Sequence, residues 1–167
     1  LYSKGAYEGI KWYYSARDEK RRFLIKYTVN EAVQRYIDAA QFYWKIVGDE
    51  HARIRNITAV LIPPEASPRL FKVFVHTQSH PGSLDFEKDF SEAHVELSGI
   101  RRNEFVELRV LLDPDLFPEA TQLSGESHST LLEDERATTE AWRLQQQRRL
   151  EKHARSIVLM KYSVIAG

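Results

Sequence analysis

Two spacings of apolar residues organise the chain. Ile54 to Ile62 is an apolar, β-branched run that stops at Pro63-Pro64, where a fixed φ and a missing amide end regular pairing. Leu70 to Thr77 is a second run, with Phe71, Val73 and Val75 alternating against Lys72, Phe74 and His76. His80-Pro81-Gly82-Ser83 reads as a turn. Leu84, Phe86 and Phe90 then alternate with Asp85, Glu87 and Asp89; Val95 and Leu97 lead to Ser98-Gly99; Phe105 to Leu112 ends at Asp113-Pro114. Side chains of a strand alternate between its faces, so these are short, half-buried strands.

Upstream, Tyr7 to Ser15 and Arg22 to Val29 are rich in aromatic and β-branched residues, and a charged turn from Ala16 to Arg21 separates them. That pattern predicts a hairpin. Between it and Ile54 the period changes. Val33, Tyr36, Ala40, Tyr43, Trp44 and Val47 recur three or four apart, with Gly48 just beyond, which predicts a short helix over about Ile37 to Val47. Asn30 to Tyr36 is either its first turns or a strand extension. The sum is an antiparallel β-sandwich of about seven strands, with that one short helix packed on it. No internal repeat is present.

Beyond Leu123 the character changes again. Ser124 to Ser129 is a polar linker, and Thr130 with Glu133 forms a capping box. A long C-terminal helix to about Arg155 should follow, outside the main core. Glu133, Asp134, Glu135 and Glu140 sit early in it, and Arg148, Arg149, Lys152 and Arg155 late, each set suiting the helix dipole at its own end. Its apolar stripe is thin: Leu131, Trp142 and Leu150. The expected division is residues 1–123 as the sandwich domain and 124–167 as linker and long helix. The apolar end, Ile157 to Ala166, is too short and polar to span a bilayer alone. The basic residues before it favour the cytoplasmic side as a flank.

Composition narrows the chemistry. The 167 residues carry 24 Lys plus Arg against 24 Asp plus Glu, so the excess positive charge that drives duplex binding is missing. No nucleic-acid partner is expected. There is no Cys, which removes disulfides, thiolate metal sites and cysteine nucleophiles. No Gly-x-Ser-x-Gly elbow, phosphate loop or dinucleotide fingerprint occurs. The chain opens on Leu1 rather than Met and shows no signal peptide, the mark of a processed or excised chain.

Some constellations merit a functional reading beside a structural one. His76 and His80 are four apart with Asp85 nearby, a set able to hold a metal if the three converge. Their flanks are strand and turn, which favours surface histidines. Asp85, Glu87 and Asp89 share one strand face and offer oxygens for calcium, or simply a solvated outer face. Asp113-Pro114-Asp115 reads as a turn. Tyr36, Phe42, Tyr43 and Trp44 are the densest aromatic group. Phe42 and Trp44 are the candidates for a ring-lined binding site, with core packing as the stronger reading. Basic clusters at Arg17, Lys20, Arg21 and Arg22, at Arg53 and Arg55, and at Arg101-Arg102 all have acids close by. No cofactor is called for.

The stretch Tyr27-Thr28-Val29-Asn30-Glu31-Ala32-Val33, then Tyr36-Ile37-Asp38, then Ala40-Gln41-Phe42-Tyr43-Trp44-Lys45 is distinctive. With Ile54 to Pro63 and the segment carrying Glu133, Glu135 and Trp142, it resembles a family of uncharacterised bacterial predicted membrane proteins, domain of unknown function twenty-two-zero-seven. The resemblance implies a signal peptide, an extracytoplasmic mainly-β domain, membrane helices and a low-complexity tail. It implies that residues 1–123 face outward, that the long helix of 124–167 leads toward a membrane span, and that attachment to the membrane runs through segments outside this chain. It implies no reaction and no catalytic residue.

The expected function is a non-catalytic extracytoplasmic module of a membrane protein in the bacterial cell envelope. It would bind a protein or an envelope polymer, or act as spacer or sensor. One alternative is a metal-assisted envelope hydrolase using His76, His80 and Asp85. The other is a cytoplasmic helical scaffold, although the long helix lacks a sustained heptad.

Overall fold

The computed structural model describes residues 2–4, 7–9, 13–15, 17–77, 82–124 and 128–165, with side chains described at 13–15, 17–77, 82–124, 128–141, 144, 147–148 and 151–152. The chain divides into two compact units, Leu1–Asn30 and Glu31–Gly167.

In the first unit, β1 (Tyr2–Lys4) pairs antiparallel with β2 (Tyr7–Gly9). The hairpin expected between Tyr7–Ser15 and Arg22–Val29 is replaced by this smaller one. Residues 10–12 and 16 of that expectation lie outside the described residues, and 22–29 adopt no regular strand. Among the described residues of this unit, the Tyr14 and Phe23 rings form a tilted pair with centroids 4.8 Å apart.

The second unit holds two antiparallel sheets. One has the order β3-β4-β9-β6, from β3 (Val33–Arg35), β4 (Ala40–Val47), β6 (Phe71–Thr77) and β9 (Val106–Leu112). The other has the order β5-β8-β7, from β5 (Ile54–Leu61), β7 (Ser83–Phe86) and β8 (Ala93–Ile100). Their inner faces meet in one apolar cluster that includes Phe71, Val73 and Val110 from the first sheet and Val95, Leu97 and Ile100 from the second. Phe71 and Phe86 meet edge to face across it at 5.3 Å. This is the arrangement of a sandwich, and the mainly antiparallel β class read from the strand pattern is the observed one.

The short packed helix is not. Ala40 to Val47 is strand β4, hydrogen-bonded to both β3 and β9. Its aromatic residues satisfy two periods at once. At period two, Ala40, Phe42, Trp44 and Ile46 face inward, and Gln41, Tyr43 and Lys45 face outward. Phe, Tyr, Trp, Ile and Val all favour a pleated surface, and β9 pairs along most of the segment while β3 pairs with Ala40–Phe42, so the strand wins. Phe42 and Trp44, two apart on one face, stack at 6.1 Å. The turn from β3 to β4 is closed by the Tyr36 N–H donating to the Ala39 carbonyl at 2.7 Å.

After β9, a 3-10 turn at Pro114–Leu116 is capped by the Asp113 carboxylate, which accepts from the Asp115 N–H at 3.0 Å. Arg69 bridges Asp113 and Asp115. Burial pushes the Asp113 carboxyl upward, but the Arg69 guanidinium and the Asp115 amide outweigh it and hold the group below its ordinary range. Helix α1 (His128–Ile165) follows, and Leu131, Leu132 and Glu135 in its first turns meet the sheet. It starts two residues before the Thr130 of the expected capping box. The Asp38 carboxylate, in the β3–β4 turn, accepts from the His128 N–H at 2.8 Å. Leu131 and Leu132 then pack on Tyr36, Ala39, Leu70, Phe74 and Leu111, over the outer face of the four-stranded sheet.

Two substitutions check this packing by urea unfolding. Leu108→Ala, at a site 1% exposed, should cost about 2–5 kcal/mol, whereas half-exposed Trp44→Ala should cost about half of the ~3–5 kcal/mol of a fully buried aromatic. Gly82→Ala should cost about 1–3 kcal/mol, since a Cβ there would overlap the Leu97 side chain and the Glu96 carbonyl oxygen.

Candidate functional site

The outer face of the four-stranded sheet carries rows set by register. Tyr43 and Phe74 flank Arg109, and Lys45 and His76 flank Glu107. Charged residues in central strand positions demand partners, and the rows provide them. The Tyr43 hydroxyl donates to Glu107 Oε2 at 2.6 Å, and Lys45 Nζ lies 3.3 Å from Glu107 Oε1. The Arg109 guanidinium sits 5.1 Å from the centre of the Tyr43 ring, close enough for a cation–π contact. The Tyr43 and His76 rings are 6.0 Å apart.

Helix α1 closes this face with a carboxylate. Glu135 is 3% exposed, yet it stands one turn beyond Leu131 on the docking stripe. His76 Nε2 is 3.0 Å from its Oε2, and Arg109 Nη1 is 2.9 Å from its Oε1. The arginine approach is off the hydrogen-bonding axis, so that contact is mainly electrostatic, and Arg109 Nε has no partner among the described residues. Two basic groups from neighbouring strands thus hold one buried carboxylate from the helix.

A cavity of about 290 Å³ opens beside the cluster, lined among others by Phe74, His76, Ser83, Leu84, Glu135 and Thr139. It lies between β6 and β7, which are edge strands of their respective sheets. Its walls mix apolar surface with hydroxyl, imidazole and carboxylate groups, and its size is at the small end for ligand pockets.

The residues singled out from the sequence are not brought together here. His76 points to the helix and pairs with Glu135. Asp85 lies exposed on β7, opposite His94 in the register and on the outer side of the other sheet. His80 lies outside the described residues. Among the described residues, no group of three His, Asp or Glu gathers as a metal site would require. Asp89 is occupied by the Ser91 amide and hydroxyl, which hold its carboxyl below the ordinary range. Phe42 and Trp44 stack on the inner face, half-buried.

The groups that sequence reasoning missed are Glu135, Arg109 and Glu107. One signal for Glu135 was available. Leu131, Glu135 and Thr139 are four apart, so a charged residue sits on the helix face that packs.

The fold and the outer face define a two-sheet β domain with a helix latched to it by a buried ion pair. Residues 3–112 match the family model described as Predicted membrane protein (DUF2207) N-terminal domain. The chain belongs to that family. The match ends at the last residue of β9, so it contains Tyr43, His76, Glu107 and Arg109 but not Glu135. No curated protein and no solved structure matches the chain. Among the described residues, no helix is long and apolar enough to cross a membrane.

Two measurements probe the cluster. Glu135→Ala strands two basic groups in a partly buried site and should cost about 2–4 kcal/mol, with α1 cleaved more readily by protease than in the parent chain. Tyr43 provides a pH test. Burial, then its bond to Glu107, pushes its phenol up from 10.0 to about 12. A raised folded-state value means that the folded chain holds the proton more tightly. The resulting stability is complete below pH 10 and is lost as pH rises toward 12. Tyr43→Phe should remove that part of the alkaline loss in denaturation curves taken across this range.

Proposed function

We propose that this domain is a non-catalytic, extracytoplasmic module of its membrane protein, binding a protein or envelope polymer and passing the bound state to α1. The observation that carries the reading is the buried Glu135, held by Arg109 and His76. Apolar contact alone lets a helix slide by a turn at small cost. A buried carboxylate with two fixed partners gives the helix one register, a role for which buried polar groups are best attested.

The cavity beside the pair supports the same reading. A ligand seated there meets His76 and Glu135, the groups that dock the helix. Binding and docking then draw on the same contacts, which is the condition for coupling between them. Membership of a membrane-protein family supplies the destination for such a signal. The absence of a recognisable nucleophile or phosphate loop in the sequence favours binding over chemistry.

The test is topology in the whole protein. A protease site inserted in the linker at Gly125 should be cut by external protease in cells whose inner membrane is intact. Protection until lysis would overturn the extracytoplasmic placement. Turnover of glycan or peptide substrates by the isolated chain would overturn the non-catalytic reading.

A further inference from the structure

The first unit leaves an unusual surface. Tyr13, Tyr14, Phe23, Leu24, Ile25 and Tyr27 are all exposed, Leu24 to 94% and Tyr13 to 86%. Elsewhere among the described residues, exposed large apolar side chains are scattered, which is ordinary for a protein surface. A concentration of them marks an interaction site. The Tyr14–Phe23 ring pair joins the two arms of this segment, and Arg21 folds the intervening turn back by donating to the Ser15 carbonyl at 3.2 Å.

The same segment is basic. Residues 13–29 hold Arg17, Lys20, Arg21, Arg22 and Lys26 against Asp18 and Glu19, in a chain that is neutral overall. Arg21 pairs with Glu19. Among the described residues, no ion pair engages Arg17, Lys20, Arg22 or Lys26, and all four are exposed.

We propose that residues 13–29 contact the surface of an anionic lipid bilayer. Tyr14, Phe23, Leu24 and Ile25 enter the headgroup region, and Arg17, Lys20, Arg22 and Lys26 meet the lipid phosphates. Tyrosine and phenylalanine interleaved with Lys and Arg suit the membrane interface, where rings lie at headgroup level and long cations reach the phosphates. The charge is complementary to anionic lipid. A second copy of the chain fits less well, since antiparallel self-pairing of Phe23–Val29 about its centre sets Lys26 against Lys26. The inference stands whichever side of the membrane the domain faces.

Sedimentation of the full 167-residue chain with phosphatidylcholine vesicles, with and without phosphatidylglycerol, tests it. The chain should pellet with the anionic vesicles and release them as salt rises from about 0.1 M to about 1 M. Arg22→Glu with Lys26→Glu should weaken binding by about tenfold or more. Leu24→Ser with Ile25→Ser should weaken it comparably, with an unchanged far-ultraviolet spectrum. Equal binding to neutral vesicles, indifference to salt, or no binding at all would overturn the proposal. So would a concentration-dependent dimer that buries the segment, or single-stranded DNA that displaces the vesicles.

Discussion

Strand β9 is covered on both faces, and the rest of the second unit answers to that constraint. Its inner positions, Val106, Leu108, Val110 and Leu112, enter the core between the sheets. Its outer positions are Glu107, Arg109 and Leu111, and Leu111 is fully buried. An apolar outer residue on a central strand needs a cover, and a charged one needs a counter-charge when covered. Helix α1 supplies both, with Leu131 over the apolar patch and Glu135 against Arg109. Removing the helix would expose Leu111 and leave Arg109 without its Glu135 counter-charge. The helix is therefore part of the sheet's solution to its own sequence.

The same logic explains where the helix starts. Its first amide is taken by Asp38, from the turn that joins β3 to β4. Glu135 is taken two turns later by β6 and β9. A rod fixed at two points on one face keeps both its rotation and its register. The net gain from either contact is modest, since desolvation offsets much of the attraction in a buried ion pair, although stranding one partner costs more. What they supply together is a defined position, and that is what a relay through α1 requires.

Much of the fold was legible because β5, β6, β8 and β9 are short apolar or alternating runs, β5 and β9 closed by Pro and Asp-Pro, although β8 continues through Gly99 to Ile100. β4 was not, since Tyr43, Trp44 and Val47 fit a helical spacing while Ala40, Phe42, Trp44 and Ile46 fit an alternating one. Only pairing with β3 and β9 decides between them. The site was less legible still. His76 and Glu135 are 59 residues apart, and nothing local in either links them. Arg109 sits in a strand that is apolar apart from Glu107. The one readable trace was Glu135 at helical spacing from Leu131, a charge on a stripe that otherwise packs. The histidine pairing that spacing suggested, His76 with His80 and Asp85, fails for Asp85 because β6 and β7 belong to different sheets and aim these side chains outward on opposite sides.

The two units handle apolar and charged residues in opposite ways. In Glu31–Gly167, the charges on the covered face find partners, and the large apolar residues of β9 are hidden. Among the described residues of Leu1–Asn30, exposed aromatic side chains lie in sequence beside Arg17, Lys20, Arg22 and Lys26, which no described ion pair engages. Thirty residues cannot enclose a core of their own, because so short a chain buries too small a share of its surface. Such a surface suits an interaction site. Neutral apolar cover would leave the cations stranded, and a strand of the same sequence would oppose like charges. An anionic interface satisfies the rings and the cations together, and a membrane-protein family is one in which such an interface is at hand.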